Sequence, residues 1–196
     1  MPIKHELMRT FPDYSLQVLY QDREGTLWIG TDDGIHLLRE LTINLLTPRQ
    51  GSLLDRVYSI FQDRGGAIWI GTWGGGVVKY ESGRFIRYQK AEGLPTDQIP
   101  CTYEDRSGRL WVGTWEFDTT GVVSYLENGR FKIAQHSFLK LNVRAITEDQ
   151  GNLWFGTDQG LVKLTNGTCT QYTTKDGLPD ALIRFRLRTT PAMVWH

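Results

Sequence analysis

Asp63-Arg64-Gly65-Gly66-Ala67-Ile68-Trp69-Ile70-Gly71-Thr72-Trp73-Gly74-Gly75 is the stretch on which the reading of this chain turns. An Asp that bonds back to its own turn, followed by glycines that tolerate positive φ, is the chemistry of a tight hairpin. The residues after it alternate. Trp69 and Gly71 point to one side of a strand while Ile70 and Thr72 point to the other. The same run stands at Leu27-Trp28-Ile29-Gly30-Thr31, Leu110-Trp111-Val112-Gly113-Thr114 and Leu153-Trp154-Phe155-Gly156-Thr157. Each copy follows an acidic turn: Asp22-Arg23-Glu24-Gly25, Asp105-Arg106-Ser107-Gly108 and the shorter Asp149-Gln150-Gly151. The four Trp are spaced 41, 42 and 43 residues apart.

Around the quoted stretch the second repeat reads as four strands. Strand A is Val57–Gln62, B is Ala67–Thr72, C is Gly76–Tyr80 and D is Arg84–Gln89. The third repeat follows as Ile99–Glu104, Arg109–Thr114, Val122–Tyr125 and Gly129–Ile133. Helical periodicity is nearly absent, and Leu37–Leu46, the best helix candidate, aligns with strands C and D of its neighbours. Four antiparallel strands every ~42 residues is the period of a β-propeller blade. A lone blade leaves two apolar faces wet, and radial stacking buries both. The Trp is expected to cover the adjoining blade, while the Gly leaves space for its close approach.

The expected fold is therefore all-β, a β-propeller with four complete four-stranded blades plus an incomplete fifth. The blades run roughly over 14–52, 53–93, 94–139 and 140–177, with a partial blade from 1–10 plus 178–196. Ile183 to Trp195 matches Ile99 to Trp111 in length, which puts Trp195 in a fifth strand-B slot, but Thr189 replaces the turn Asp. Two closures are open: a five-blade ring completed by Ile3–Glu6, and an open arc of a longer propeller. The arc would expose apolar edges and predict self-association.

Composition excludes several other classes. Lys+Arg and Asp+Glu both number 22, so no excess positive charge draws the chain to nucleic acid or an anionic membrane. Two cysteines exclude a disulfide-dense scaffold. Cys101 and Cys169 fall on inner and outer strands, so no disulfide is expected and both are read as small buried residues. No apolar run approaches the ~18 residues of a membrane span, and the first residues lack a secretory signal's apolar core.

The B–C and D–A loops of a blade open on one face near the central channel, and the A–B turns on the other. Asp22, Asp63, Asp105 and Asp149 therefore belong to rear hairpins and read as turn caps, not as a catalytic set. On the front face Trp73 and Trp115 share one slot in neighbouring blades, where the outer repeats have Asp. One reading has them stack on a ligand such as the apolar face of a sugar ring, with Glu116 and Asp118 accepting hydroxyl hydrogen bonds. The other has them fold over the next blade and plug the channel mouth. The polar side of strand A reads Gln17, Tyr58, Pro100, Arg144 and Arg184. Arg144 and Arg184 either clamp an anionic group or pair with nearby Glu and carbonyls. The ligand-binding candidates are thus Tyr58, Trp73, Trp115, Glu116, Asp118 and Arg144.

The pattern Asp-x-x-Gly-x-(Leu/Ile)-Trp-x-Gly-Thr-x-x-Gly, with Gly93-Leu94-Pro95 before strand A, resembles the two-component regulator propeller repeat over essentially the whole chain. That resemblance implies a periplasmic, non-catalytic sensor module of a bacterial signalling receptor, often of seven or fourteen blades. Such modules usually precede a membrane span and a kinase or cyclase output, and in gut bacteria many sense oligosaccharides. The implied partners are an oligosaccharide-like ligand and the remaining blades or output domain of a parent receptor. This chain departs in having few blades and no leader, span or kinase, as a fragment would. The alternatives are a protein-binding scaffold and a streptogramin-lyase-like enzyme, which would want His and Glu near the channel with a metal. Glu116 stands there, but His5, His36, His136 and His196 are scattered, so no cofactor, metal or catalytic residue is expected.

Overall fold

A computed structural model describes residues 16–39, 42–46 without side chains, 56–116, 122–134, 141–180 and 182. Four four-stranded antiparallel sheets hold more than half of them, and turns and loops hold most of the rest. Blade 1 holds β1 (Leu16–Gln21), β2 (Leu27–Thr31), β3 (Ile35–Arg39) and β4 (Thr42–Leu46). Blade 2 holds β5 (Val57–Gln62), β6 (Ile68–Thr72), β7 (Val77–Glu81) and β8 (Arg84–Tyr88). Blade 3 holds β9 (Cys101–Glu104), β10 (Leu110–Gly113), β11 (Val123–Glu127) and β12 (Arg130–Ile133). Blade 4 holds β13 (Val143–Asp149), β14 (Asn152–Thr157), β15 (Gly160–Thr165) and β16 (Thr168–Tyr172). Every sheet runs in chain order, and β1, β5, β9 and β13 lie side by side around the axis. The expected fifth blade falls outside the described residues except for 178–180 and 182.

The hairpin read into Leu37–Leu46 is β3 paired with β4. One strand starts later than the sequence suggests. β9 opens at Cys101 because Pro100 has no N–H for the ladder, and the preceding Ile99 N–H donates to Thr72 O of blade 2 at 2.8 Å.

Apolar clusters join neighbouring blades as the alternation requires. Trp28 packs with Val57, Ile60, Ile68, Ile70 and Val78 of blade 2. Trp69 packs with Ile99, Leu110, Val112 and Phe131 of blade 3, and Trp111 with Ile146, Phe155 and Val162 of blade 4. These three indoles are 4%, 3% and 4% exposed. The glycine two residues on is the matching socket. A Cβ on Gly30 would stand 2.7 Å from Val57 Cγ1, one on Gly71 2.6 Å from Ile99 O, and one on Gly113 2.8 Å from Val143 Cγ1. The repeated Trp-x-Gly is thus one half of a blade interface, with the ring as cover and the glycine as seat.

Trp154 departs from the pattern. It is half-buried, although Tyr172 and Lys163 of its own blade lie 5.9 Å and 5.2 Å from its ring as Tyr88 and Lys79 lie 5.7 Å and 5.5 Å from that of Trp69. Cys101 is buried, and its thiol is pushed up to about 12 by burial. Cys169 is only half-buried, contrary to the sequence reading, because β16 is an outer strand, and burial lifts its thiol to about 11.

Candidate functional site

The rear turns show what the recurring Asp does. Asp63 Oδ1 accepts the Ala67 N–H at 2.9 Å and Oδ2 accepts the Trp69 indole N–H at 2.8 Å. Asp22 repeats this on Thr26 and Trp28, and Asp105 on Arg109 and Trp111. Burial pushes the Asp105 carboxyl up, but hydrogen bonds from Ser107, Trp111 and Arg109 outweigh it and hold the group below the ordinary range. These carboxylates are structural, as read. Asp149 corrects the set of four: its shorter turn pairs it with Asn152 in the ladder and leaves it exposed.

The front face is closed blade by blade. The recurring Thr donates its hydroxyl across each B–C loop: Thr31 to Gly34 O, Thr72 to Gly76 O, Thr114 to Val122 O and Thr157 to Gly160 O, at 2.7–3.1 Å. The D–A connection of blade 2 folds against the loop behind it, where Gly74 and Gly76 N–H groups both donate to Asp97 O at 2.9 Å.

On this platform the structure brings together four of the six candidates. Tyr58 and Trp73 have ring centroids 5.3 Å apart, and Trp73 and Trp115 are 4.3 Å apart with planes inclined at 53°. The Arg144 guanidinium lies 5.2 Å from the Trp115 ring. Tyr58, Trp73, Trp115 and Arg144 form one column crossing blades 2, 3 and 4. Strand irregularities put two of them there. The β5–β6 register shifts between Val57 and Ser59, and the β13–β14 register between Val143 and Ala145, so Tyr58 and Arg144 are the bulged residues. A bulge re-aims its side chain away from the sheet's alternation. Pro100 holds the same place in blade 3, where it needs no ladder N–H.

Glu116 adjoins the column: its N–H donates to Asn142 Oδ1 at 3.0 Å, and Asn142 Nδ2 donates to Asp158 Oδ2 at 3.0 Å. Asp118 and Arg184 lie outside the described residues. Among the described residues no carboxylate lies within ion-pair distance of Arg144, and its guanidinium faces the Trp115 ring. Arg144 Nε, Gln98 Oε1 and Asp158 Oδ1 are buried without a hydrogen-bond partner.

Gln98 and Asn142 are the residues sequence reading passed over. Both stand just before the inner strand, the slot Arg56 fills in blade 2, and each passes a carbonyl to the following B–C loop. Aligning that slot would have shown Arg, Gln and Asn in succession. Among the described residues no three His, Cys, Asp or Glu converge as a metal site requires. No helix there is long and apolar enough to cross a membrane.

Radial four-stranded sheets about an axis, with an aromatic column at the loop face, define the fold of this chain as a β-propeller. Residues 10–33, 51–74 and 93–116 each match the family model described as two component regulator propeller. The chain therefore carries two component regulator propeller repeats. Among solved structures it is similar to the extracellular domain described as that of a hybrid two component system, BT3049, from B. thetaiotaomicron. The identity is 25% and the TM-score 0.71, over 87% of this chain and 24% of that one. It also resembles virginiamycin B lyase from Staphylococcus aureus at 16% identity and TM-score 0.65, over 81% of this chain and 55% of the enzyme. PorZ of Porphyromonas gingivalis, a component of the type-IX secretion system, matches at 15% identity and TM-score 0.63, over 86% of this chain and 28% of that one. The last two likenesses concern the fold alone. The chain spans about a quarter of the first relative and about half of the lyase. No curated protein matches its sequence.

Proposed function

We propose that this chain is a non-catalytic, ligand-binding part of the sensor propeller of a bacterial two-component-type receptor. Its ligand would be oligosaccharide-like and would bind on the front face. The observation that carries the reading is the column Tyr58–Trp73–Trp115–Arg144. Packing between blades is already met by Trp28, Trp69 and Trp111, so the column is additional aromatic surface placed where loops vary. Tyr58 stays 36% exposed, and Trp73 and Trp115 keep part of their rings in solvent. Indole faces suit the C–H side of a sugar ring. Polar atoms buried without partners beside them, Gln98 Oε1, Asp158 Oδ1 and Arg144 Nε, suit hydroxyl groups that supply what the protein leaves unmet. Glu116 adjoins the column through Asn142, and Asp118, two residues on in the sequence, is the further hydroxyl acceptor of this reading.

The column crosses three blades, so a ligand seated on it would favour one relative tilt of those blades. That bias is a population shift which the remaining blades and output domain of the parent receptor would read. The extracellular placement of the BT3049 domain supports a periplasmic or extracellular setting. The fold likeness to a lyase brings no reaction with it.

The test is a glycan array probed with the full chain and with the Trp73→Ala/Trp115→Ala double variant. Glycans retained by the wild type should lose at least tenfold in affinity with the variant, about 1.4 kcal/mol. Unchanged binding, or capture of a protein segment with no glycan bound, would overturn the reading in favour of a scaffold. Metal-dependent turnover of a streptogramin would overturn it in favour of an enzyme.

A further inference from the structure

The blade interface inside this chain has a plug and a socket. The socket is the strand-B glycine, Gly30, Gly71 or Gly113. The plug is the β-branched residue that opens the next blade's inner segment: Val57, Ile99 or Val143. Plug follows socket by 27, 28 and 30 residues. Gly156 is the fourth such glycine, and 27 residues later stands Ile183.

Two further observations bear on that pair. The outward face of blade 4 is under-covered. Trp154 is half-buried where its three equivalents are 3–4% exposed. Leu161 is half-buried where Ile35, Val77 and Val123 are at most 1% exposed. The chain also leaves blade 4 as it leaves blade 2. Lys90–Glu92 and Thr174–Asp176 are single 3-10 turns in which the third residue's carboxylate accepts the N-cap N–H at 2.8 Å, Glu92 from Gln89 and Asp176 from Thr173. Each closes on a left-handed glycine, Gly93 at φ 97° and Gly177 at φ 96°. Leu94 N–H then donates to Gln89 O at 3.2 Å, and Leu178 N–H to Thr173 O at 3.3 Å. Leu-Pro follows in both, and five residues after the Leu come Ile99 and Ile183 respectively. The first exit delivers Ile99 onto Gly71.

We propose that the Trp154 face of blade 4 is a docking surface for this chain's own segment Leu182–Trp195, with Ile183 seated on Gly156. The segment is long enough for an inner hairpin. Trp195, which stands 12 residues after Ile183 as Trp111 does after Ile99, would fall on the second strand of that hairpin.

Thermal unfolding of full-chain Gly156→Ala, Ile183→Gly and the double variant tests the seat. A methyl on Gly156 should lower Tm by roughly 3–8 °C when Ile183 is present, and by about 2 °C or less in the Ile183→Gly background. Gly71→Ala serves as the reference for an occupied socket. Equal losses in both backgrounds, or no loss at all, would overturn the proposal. Iodide quenching gives a second readout independent of stability: Ile183→Asp should raise the accessibility of Trp154, measured against Trp154→Phe. Unchanged quenching would also overturn it. So would a Tm that rises with protein concentration alongside a doubled mass by light scattering, since a second copy would then hold the face.

Discussion

Asp105 holds four groups at once: the N–H of Ser107, the hydroxyl of Ser107, the N–H of Arg109 and the indole N–H of Trp111. Removing the carboxylate strands a buried indole donor and opens the turn. Asp105→Ala should therefore cost about 2–4 kcal/mol in urea unfolding at pH 7. Asp149→Ala, at an exposed position in the ladder, should cost less than about 0.5 kcal/mol. Burial raises the Asp105 pKa and its hydrogen bonds more than reverse this, so the folded value lies below the unfolded one. The stabilisation is then present above the unfolded carboxyl pKa of about 3.9 and is lost as pH falls through the folded value. The gap between wild type and Asp105→Ala should close over that acid range. The sequence made the turn legible but not the bond to the indole. Four Asp letters look alike, and only the length of the turn puts the carboxylate under a ring six residues on. Asp149, with one residue fewer before its Trp, shows the difference.

Strand by strand, the alternation of Trp and Gly against Ile and Thr was enough to predict which side meets the next blade, because the pleat has period two. The bulges were less legible. Tyr58 and Arg144 fall on the polar side of strand A in the sequence, yet their arrival in one column depends on register shifts that no letter announces, apart from the proline standing in the same place at Pro100. The sockets give a sharp expectation at this scale. Gly113→Val adds side chain where a Cβ alone would lie 2.5 Å from Cys101 Sγ and 2.8 Å from Val143 Cγ1. It should destabilise by about 3 kcal/mol or more, with near-ultraviolet circular dichroism of Trp111 altered in the folded fraction. Gly25→Ala, in a left-handed turn with open space around it, should cost only backbone strain of about 1 kcal/mol.

Across the molecule, the 42-residue period announced the architecture, and the rear face adds a device the period did not show. Arg23 donates to Asp63 O, Arg64 to Asp105 O at 2.8 Å and Arg106 O at 2.9 Å, and the Arg106 N–H to Glu148 Oε2 at 2.7 Å. The recurring (Gln/Glu)-Asp-Arg triplet is the available signal, but the reach of its Arg shows only when neighbouring blades are set side by side. Arg64→Ala should weaken the seam between blades 2 and 3 by about 1 kcal/mol. Since most of its acceptors are carbonyls, the loss should change little between low and high salt in denaturant titrations. Every one of these ties points towards residues made later. A hairpin emerging from the ribosome therefore keeps an arginine waiting for roughly 2–8 seconds of elongation until its acceptors are synthesised, so translation itself dictates the order in which the leaves of the fan can be fastened.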